Sequence, residues 1–152
     1  MTSIDRVVDE LALRTLAARY ALGVDDHDDV LFAATFLPDA RLRFFRPADT
    51  DVPSSDITGR AALSGIPSSM ASRYDRTFHF VGQSVYSIAD DEATGIVYCI
   101  AHHLTRTDHG GTDHVMHLRY DDSYGRDAAG EWGIASRNGH VEWTETRAVD
   151  LP

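Results

Sequence analysis

Four runs in the second half of the chain constrain the fold most: HFVGQSVYSI, TGIVYCIAHHLTR, DHVMHLRYDDSY and EWGIASRNGHVEWTETR. Each is rich in β-branched and aromatic residues, and each is separated from the next by a turn composition, ADDEA, TDHGG or GRDAAG. That pattern predicts long strands joined by short turns, an antiparallel meander. The first half reads differently. Thr2 followed by Asp5 predicts a capping box. Ile4, Val8, Leu11, Thr15, Ala18 and Leu22 then recur at helical spacing up to Gly23 and predict the core-facing stripe of a first helix. VLFAATFL predicts a second helix that stops before Pro38, ARLRFF a strand, PADTDVPSSDITG a loop, and Arg60 to Tyr74 a third helix. Helices followed by a meander make an α+β fold, and 152 residues fit a single domain spanning 1–152.

Composition removes whole classes of chemistry. All 14 basic residues are arginine, so no lysine can form a Schiff base. The one cysteine, Cys99, excludes an intrachain disulfide and a thiolate zinc site. A formal net charge of −10 argues against nucleic acid as a partner. No apolar run reaches the roughly 20 residues of a membrane span, and the N-terminus lacks the form of a signal peptide. A cytoplasmic location is expected. Neither a Walker loop nor a GxGxxG is present.

HHLTRTDHGGTDHVMH, residues 102–117, holds five of the eight histidines. With TDHGG as the turn, His102 and His103 face opposite ways, as do His114 and His117, because strand side chains alternate. The five cannot meet one ion. A metal site from a subset, such as His103 with His117, stays open beside the plainer reading of histidines spread over both faces of a hairpin. If His103 points inward, so do Val97, Cys99 and Ala101, whose small side chains leave room for a ligand. Tyr98, Ile100 and His102 then face outward and need cover, which a subunit interface would give.

YALGVDDHDDVLFAATFLPDARLRF, RTFHFVGQ, EATGIVYCIAHHLTR and EWGIASRNGHVEW, in that order, resemble the SnoaL-like branch of the nuclear transport factor 2-like superfamily. Within it the pattern is most similar to scytalone dehydratase and the bile-acid dehydratases. The resemblance implies a cone-shaped α+β barrel, a strongly curved, mostly antiparallel mixed sheet wrapped around N-terminal helices with an apolar pocket inside. It also implies a homodimer or homotrimer joined through the sheet, a small hydrophobic ligand and no cofactor or metal.

Carried over by position, the resemblance makes Asp25, His79 and His103 catalytic. Tyr20 takes the place of a tyrosine used by the bile-acid dehydratases. His117, Phe44, Val97 and Cys99 fall at the pocket wall. Two tyrosines of scytalone dehydratase correspond here to Val24 and to Phe44 or Phe45, which cannot donate a hydrogen bond, so the substrate differs. The set suits removal of a proton next to a carbonyl. His79 would act as base and acid, Asp25 and His103 would pair to orient it, and Tyr20 would donate to the carbonyl. The expected function is a cofactor-independent dehydratase or isomerase acting on a cyclic polyketide, steroid or aromatic substrate. The alternative is a non-catalytic small-molecule-binding or assembly protein of the same fold. For Asp25 itself the competing reading is a cap on the second helix, the role expected of Asp26, Asp28 and Asp29.

Overall fold

The computed structural model describes residues 2–47 and 51–151. The four predicted strands are there: β3 (Arg76–Ala89), β4 (Glu92–Thr107), β5 (Gly110–Arg126) and β6 (Trp132–Val149), each antiparallel to the next. Tight turns join them. Asp90 takes a left-handed φ of 51° at the first, a conformation aspartate tolerates better than most residues. Gly130, at φ 83°, closes the third. β1 (Phe36–Phe45) lies parallel to β6, and β2 (Ser55–Thr58) adds antiparallel to β1, giving the order β2-β1-β6-β5-β4-β3. The sheet is mixed and mostly antiparallel, as expected, but it does not close into a barrel: β2 and β3 remain edges.

The first helix, α1 (Ser3–Asp25), lies against the sheet and is capped as the sequence predicts. The Thr2 hydroxyl accepts from the Asp5 N–H at 3.2 Å, and the Asp5 carboxylate accepts from the Thr2 N–H at 2.8 Å. Its rotation differs from expectation. The buried side is Leu13, Leu16, Ala17, Tyr20, Ala21 and Val24, while Ile4, Val8, Leu11 and Leu22 are exposed. The helix carries two apolar faces at equivalent spacing, and the sheet takes the one with the larger central residues.

Two further helices depart from the sequence reading. α2 (Asp29–Ala33) ends four residues early, because the Thr35 hydroxyl closes it by donating to the Phe32 carbonyl at 2.7 Å and Phe36 starts β1. Pro38 thus sits inside β1, in the stretch between Phe36 and Arg41 where pairing with β6 is irregular and no N–H is required. The third helix is broken into α3 (Arg60–Leu63) and α4 (Ile66–Ala71), since Pro67 can only open a new helix. The loop expected over 47–59 contains β2, and residues 48–50 of it lie outside the described residues.

β4 pairs with β5 without interruption from Glu92 to Thr107, so its side chains alternate strictly. Ala93, Val97, Cys99, Ala101 and His103 face the buried interior, and Tyr98 is exposed on the other side, in the phase the sequence predicts. Bulges fall instead on β3 between Val81 and Ser84 and between β5 and β6 at His117/Leu118, where they increase local twist.

Candidate active site

Asp25 is the last residue of α1, and β3 begins beside it. No helix N-terminus is capped by it; Asp28 performs that task for α2, accepting from the Val30 and Leu31 N–H groups. Asp29 instead accepts from Ser68 at the start of α4. Asp25 turns to β3. Its Oδ1 accepts from the Thr77 hydroxyl at 2.9 Å and from His79 Nδ1 at 2.7 Å, while Oδ2 accepts from the His79 backbone N–H at 2.8 Å. Burial pushes the carboxyl up, but the bonds from the His79 ring and backbone and from Thr77 outweigh it and hold Asp25 below the usual carboxylate range.

With Nδ1–H donated to a carboxylate, His79 presents the lone pair of Nε2. His103 stands edge-on to it, ring centroids 6.0 Å apart, from the neighbouring strand. Asp25 pairs with His79, and not with His103 as the sequence reading had it. His103 Nδ1 donates to the His114 carbonyl at 3.1 Å, and its ring packs against Tyr74 and His114. Burial lowers the His103 pKa to about 4, opposed by the bond to the His114 carbonyl and reinforced by nearby His79, His114 and Arg73. His103 is therefore a neutral imidazole beside one that is paired with a carboxylate.

Tyr20 lies deeper. Its ring neighbours are Phe32, Phe36 and Tyr120, His79 is not among them, and burial pushes its hydroxyl up to about 12. Beside it the Arg137 guanidinium packs into the corner between the Tyr20 ring, at 4.3 Å, and the Tyr120 ring, at 4.1 Å, whose planes are inclined at 67°. Arg137 is fully buried and makes a two-point pair with Asp122, at 2.9 and 2.7 Å, while its Nη1 has no hydrogen-bond partner. Tyr124 completes the group by donating to Asp122 at 2.6 Å. Val97 and Cys99 face this interior, in the strand phase that the sequence predicts, and Phe44 packs against its edge.

His117 requires a correction. It pairs with Ile100 and Trp143 on the outer face of the sheet, stacks on Trp143 at 4.3 Å and meets Glu145 at 3.2 Å. It cannot share a ligand or an ion with His103, which points the other way, and no group of three potential metal ligands occurs among the described residues. The inward histidine of β5 is His114, directly opposite His103. A groove of about 460 Å³ lies on the outer face, lined by Phe80, Tyr98, Ile100, His117, Arg119 and Trp143, whereas Tyr20, Phe32, Phe36 and Tyr120 fill the deep interior.

Sequence reasoning missed Thr77, His114 and Arg137. A polar residue two positions before His79 on the same strand face was the available signal for Thr77. Arg137 gave no such signal, because Ser136 and Asn138 flank it in a strand with many polar residues.

Solved structures share this architecture. A protein of unknown function from Mycobacterium tuberculosis superposes with a TM-score of 0.76 at 25% identity, over 93% of this chain and 77% of its own. A candidate scytalone dehydratase from Novosphingobium aromaticivorans gives 0.80 at 18% identity, over 98% and 96%. A hexachlorocyclohexane dehydrochlorinase, LinA-type3, from Novosphingobium barchaimii gives 0.79 at 17% identity, over 99% of both chains. No curated protein sequence matches. The model of the SnoaL-like domain family matches residues 5–138, most of the chain, and the protein belongs to that family.

Proposed function

We propose that the protein is a cofactor-independent lyase that carries out β-elimination on a small hydrophobic cyclic molecule, with His79 as the base. The Asp25–His79 pair carries this reading. His79 Nε2 takes a proton from a carbon of the substrate, and the electron pair left behind expels a leaving group from the adjacent carbon. The imidazolium that forms is stabilised by Asp25, which is held ionised by three hydrogen bonds. The same imidazolium then returns its proton to the departing oxygen, so the cycle closes as loss of water. Returned to another carbon, that proton would give an isomerisation instead.

His103, kept neutral by burial, adds no positive charge beside the forming imidazolium and can orient a hydroxyl through Nε2. Two adjacent imidazoles in unlike environments are a way of separating acid from base on one surface. The names of two structural neighbours, a candidate dehydratase and a dehydrochlorinase, both describe loss of a small molecule from adjacent carbons, and that shared chemistry supports elimination.

The experiment is a screen of cyclic β-hydroxy ketones and polychlorinated cyclohexanes, scored for loss of water or hydrogen chloride and for deuterium uptake from heavy water at the acidic carbon. Turnover that disappears in His79→Ala supports the reading. Ligands that bind without exchange or elimination, equally in both proteins, would favour a binding role.

A further inference from the structure

An α-helix that packs on one sheet needs one apolar stripe, and α1 has two. Ile4 and Leu13 are nine residues apart, about two and a half turns, so the stripe headed by Ile4 lies diametrically opposite the buried one. Ile4 is 75% exposed and Leu11 64%, with Val8 and Leu22 also open to solvent. The spacing of Ile4, Val8, Leu11, Thr15, Ala18 and Leu22 alternates four and three, the repeat of a coiled-coil seam. It runs about 27 Å along the helix.

We propose that this stripe is the seam of an antiparallel pairing between α1 and α1 of a second copy of the chain. Three features of the stripe choose that occupant and that direction. About a two-fold axis level with Leu13, Ile4 meets the second copy's Leu22, Val8 meets its Ala18 and Leu11 meets its Thr15. The central layers thus place a larger residue against a smaller one. The positions flanking the seam are complementary as well: Asp5 lies opposite the second copy's Arg19, twice by symmetry. Arg19 has no ion-pair partner among the described residues, and Asp5 is fully exposed. The parallel arrangement would set Arg14 against Arg19 and Ala18 against Ala18, opposing like charges and leaving a gap. Arg14 flanks the axis in the antiparallel pair, but its guanidinium is turned aside, bonded to Glu10 at 2.8 Å and to the Ser84 hydroxyl at 3.0 Å. The seam faces away from the sheet, so this contact is independent of any association through the outer face of the sheet.

The test uses the full chain. Val8→Cys with Ala18→Cys places each thiol opposite its counterpart in the second copy, whereas within one chain the two are ten residues apart and cannot meet. Mild oxidation is expected to convert the double variant largely to a covalent dimer and each single variant much less. Wild type is the background, because Cys99 is buried. Leu11→Glu, an exposed position that leaves folding intact by circular dichroism, is expected to halve the mass of the associating species in sedimentation. Leu11→Ser repeats the measurement with a milder change. A wild-type mass that Leu11→Glu does not alter overturns the proposal, as does cross-linking of Val8→Cys alone at the rate of the double variant. A monomeric wild type up to its solubility limit overturns it too, leaving the stripe for a different protein.

Discussion

Asp25 accepts three hydrogen bonds, two of them from His79, so its carboxylate sets both the strand position and the ring tautomer of the proposed base. Asp25→Asn keeps the shape but turns one acceptor atom into a donor facing Thr77 or Nδ1. Turnover on a true substrate should fall on the order of 10²- to 10⁴-fold, and as far in His79→Ala, with both proteins remaining folded. Steady-state kinetics on the first substrate found checks this, and unchanged rates would remove His79 from the mechanism. His103 makes a separate prediction for stability. Its pKa is about 4 in the folded protein against roughly 6.5 unfolded. The unfolded chain therefore takes up the proton first, and the contribution present above pH 6.5 is lost as pH falls towards 4. The loss amounts to about 3 kcal/mol. Asp25, lowered below the usual range, contributes to acid loss only beneath that window. His103→Asn keeps a donor for the His114 carbonyl without the titration, so its urea-unfolding free energy should be nearly level from pH 6.5 to 4 where that of wild type declines. The resemblance placed Asp25, His79 and His103, but which imidazole the carboxylate holds depends on the angle at which α1 ends over β3, and no local pattern encodes that. His117 was misplaced because the side taken by β5 is decided by the register of the hairpin at Asp108–His109.

At the scale of elements, α1 and α2 meet so closely that Gly23 is a spacer. A Cβ there would stand 2.8 to 2.9 Å from the backbone N, Cα and Cβ of Phe32, a residue with no exposure. Alanine is favoured over glycine inside a helix by about 1 kcal/mol, yet overpacking against backbone costs roughly 1–3 kcal/mol. The clash should win. Gly23→Ala is expected to lower the melting temperature and, because Asp25 is two residues further along, to reduce turnover more than the stability loss explains. A rise in melting temperature would show that α2 yields freely. The strands were legible because period two, turn composition and β-branching agree over each of them. The helices were legible in existence but not in rotation: the α1 sequence offers two apolar faces half a turn apart, and only the sheet chooses between them. Likewise Thr35 and Phe36 read as helix in VLFAATFL, whereas pairing of β1 with β6, nearly a hundred residues away, draws Phe36 into the sheet.

For the molecule as a whole, the interior is organised around a charge. Arg137 and Asp122 come from adjacent strands and are both without exposure, and three tyrosines, Tyr20, Tyr120 and Tyr124, surround them. The ion pair raises the Arg137 pKa well above its usual value even though burial acts against it, through the charge and hydrogen bonds of Asp122. The pair ties α1 to β5 and β6, since the guanidinium rests against both the Tyr20 and the Tyr120 rings. A buried pair of this kind need not be more stable than an apolar replacement of equal volume, but removing one member strands the other. Arg137→Met should therefore cost about 3–5 kcal/mol, because Asp122 is left buried without its cation and with only Tyr124 to donate to it. Arg137→Met combined with Asp122→Leu should recover most of that loss. Equilibrium denaturation of the two single variants and the double variant measures the coupling. If the single changes proved additive, Arg137 and Asp122 would be acting independently, and the two hydrogen bonds between them would not be what holds a guanidinium in the interior.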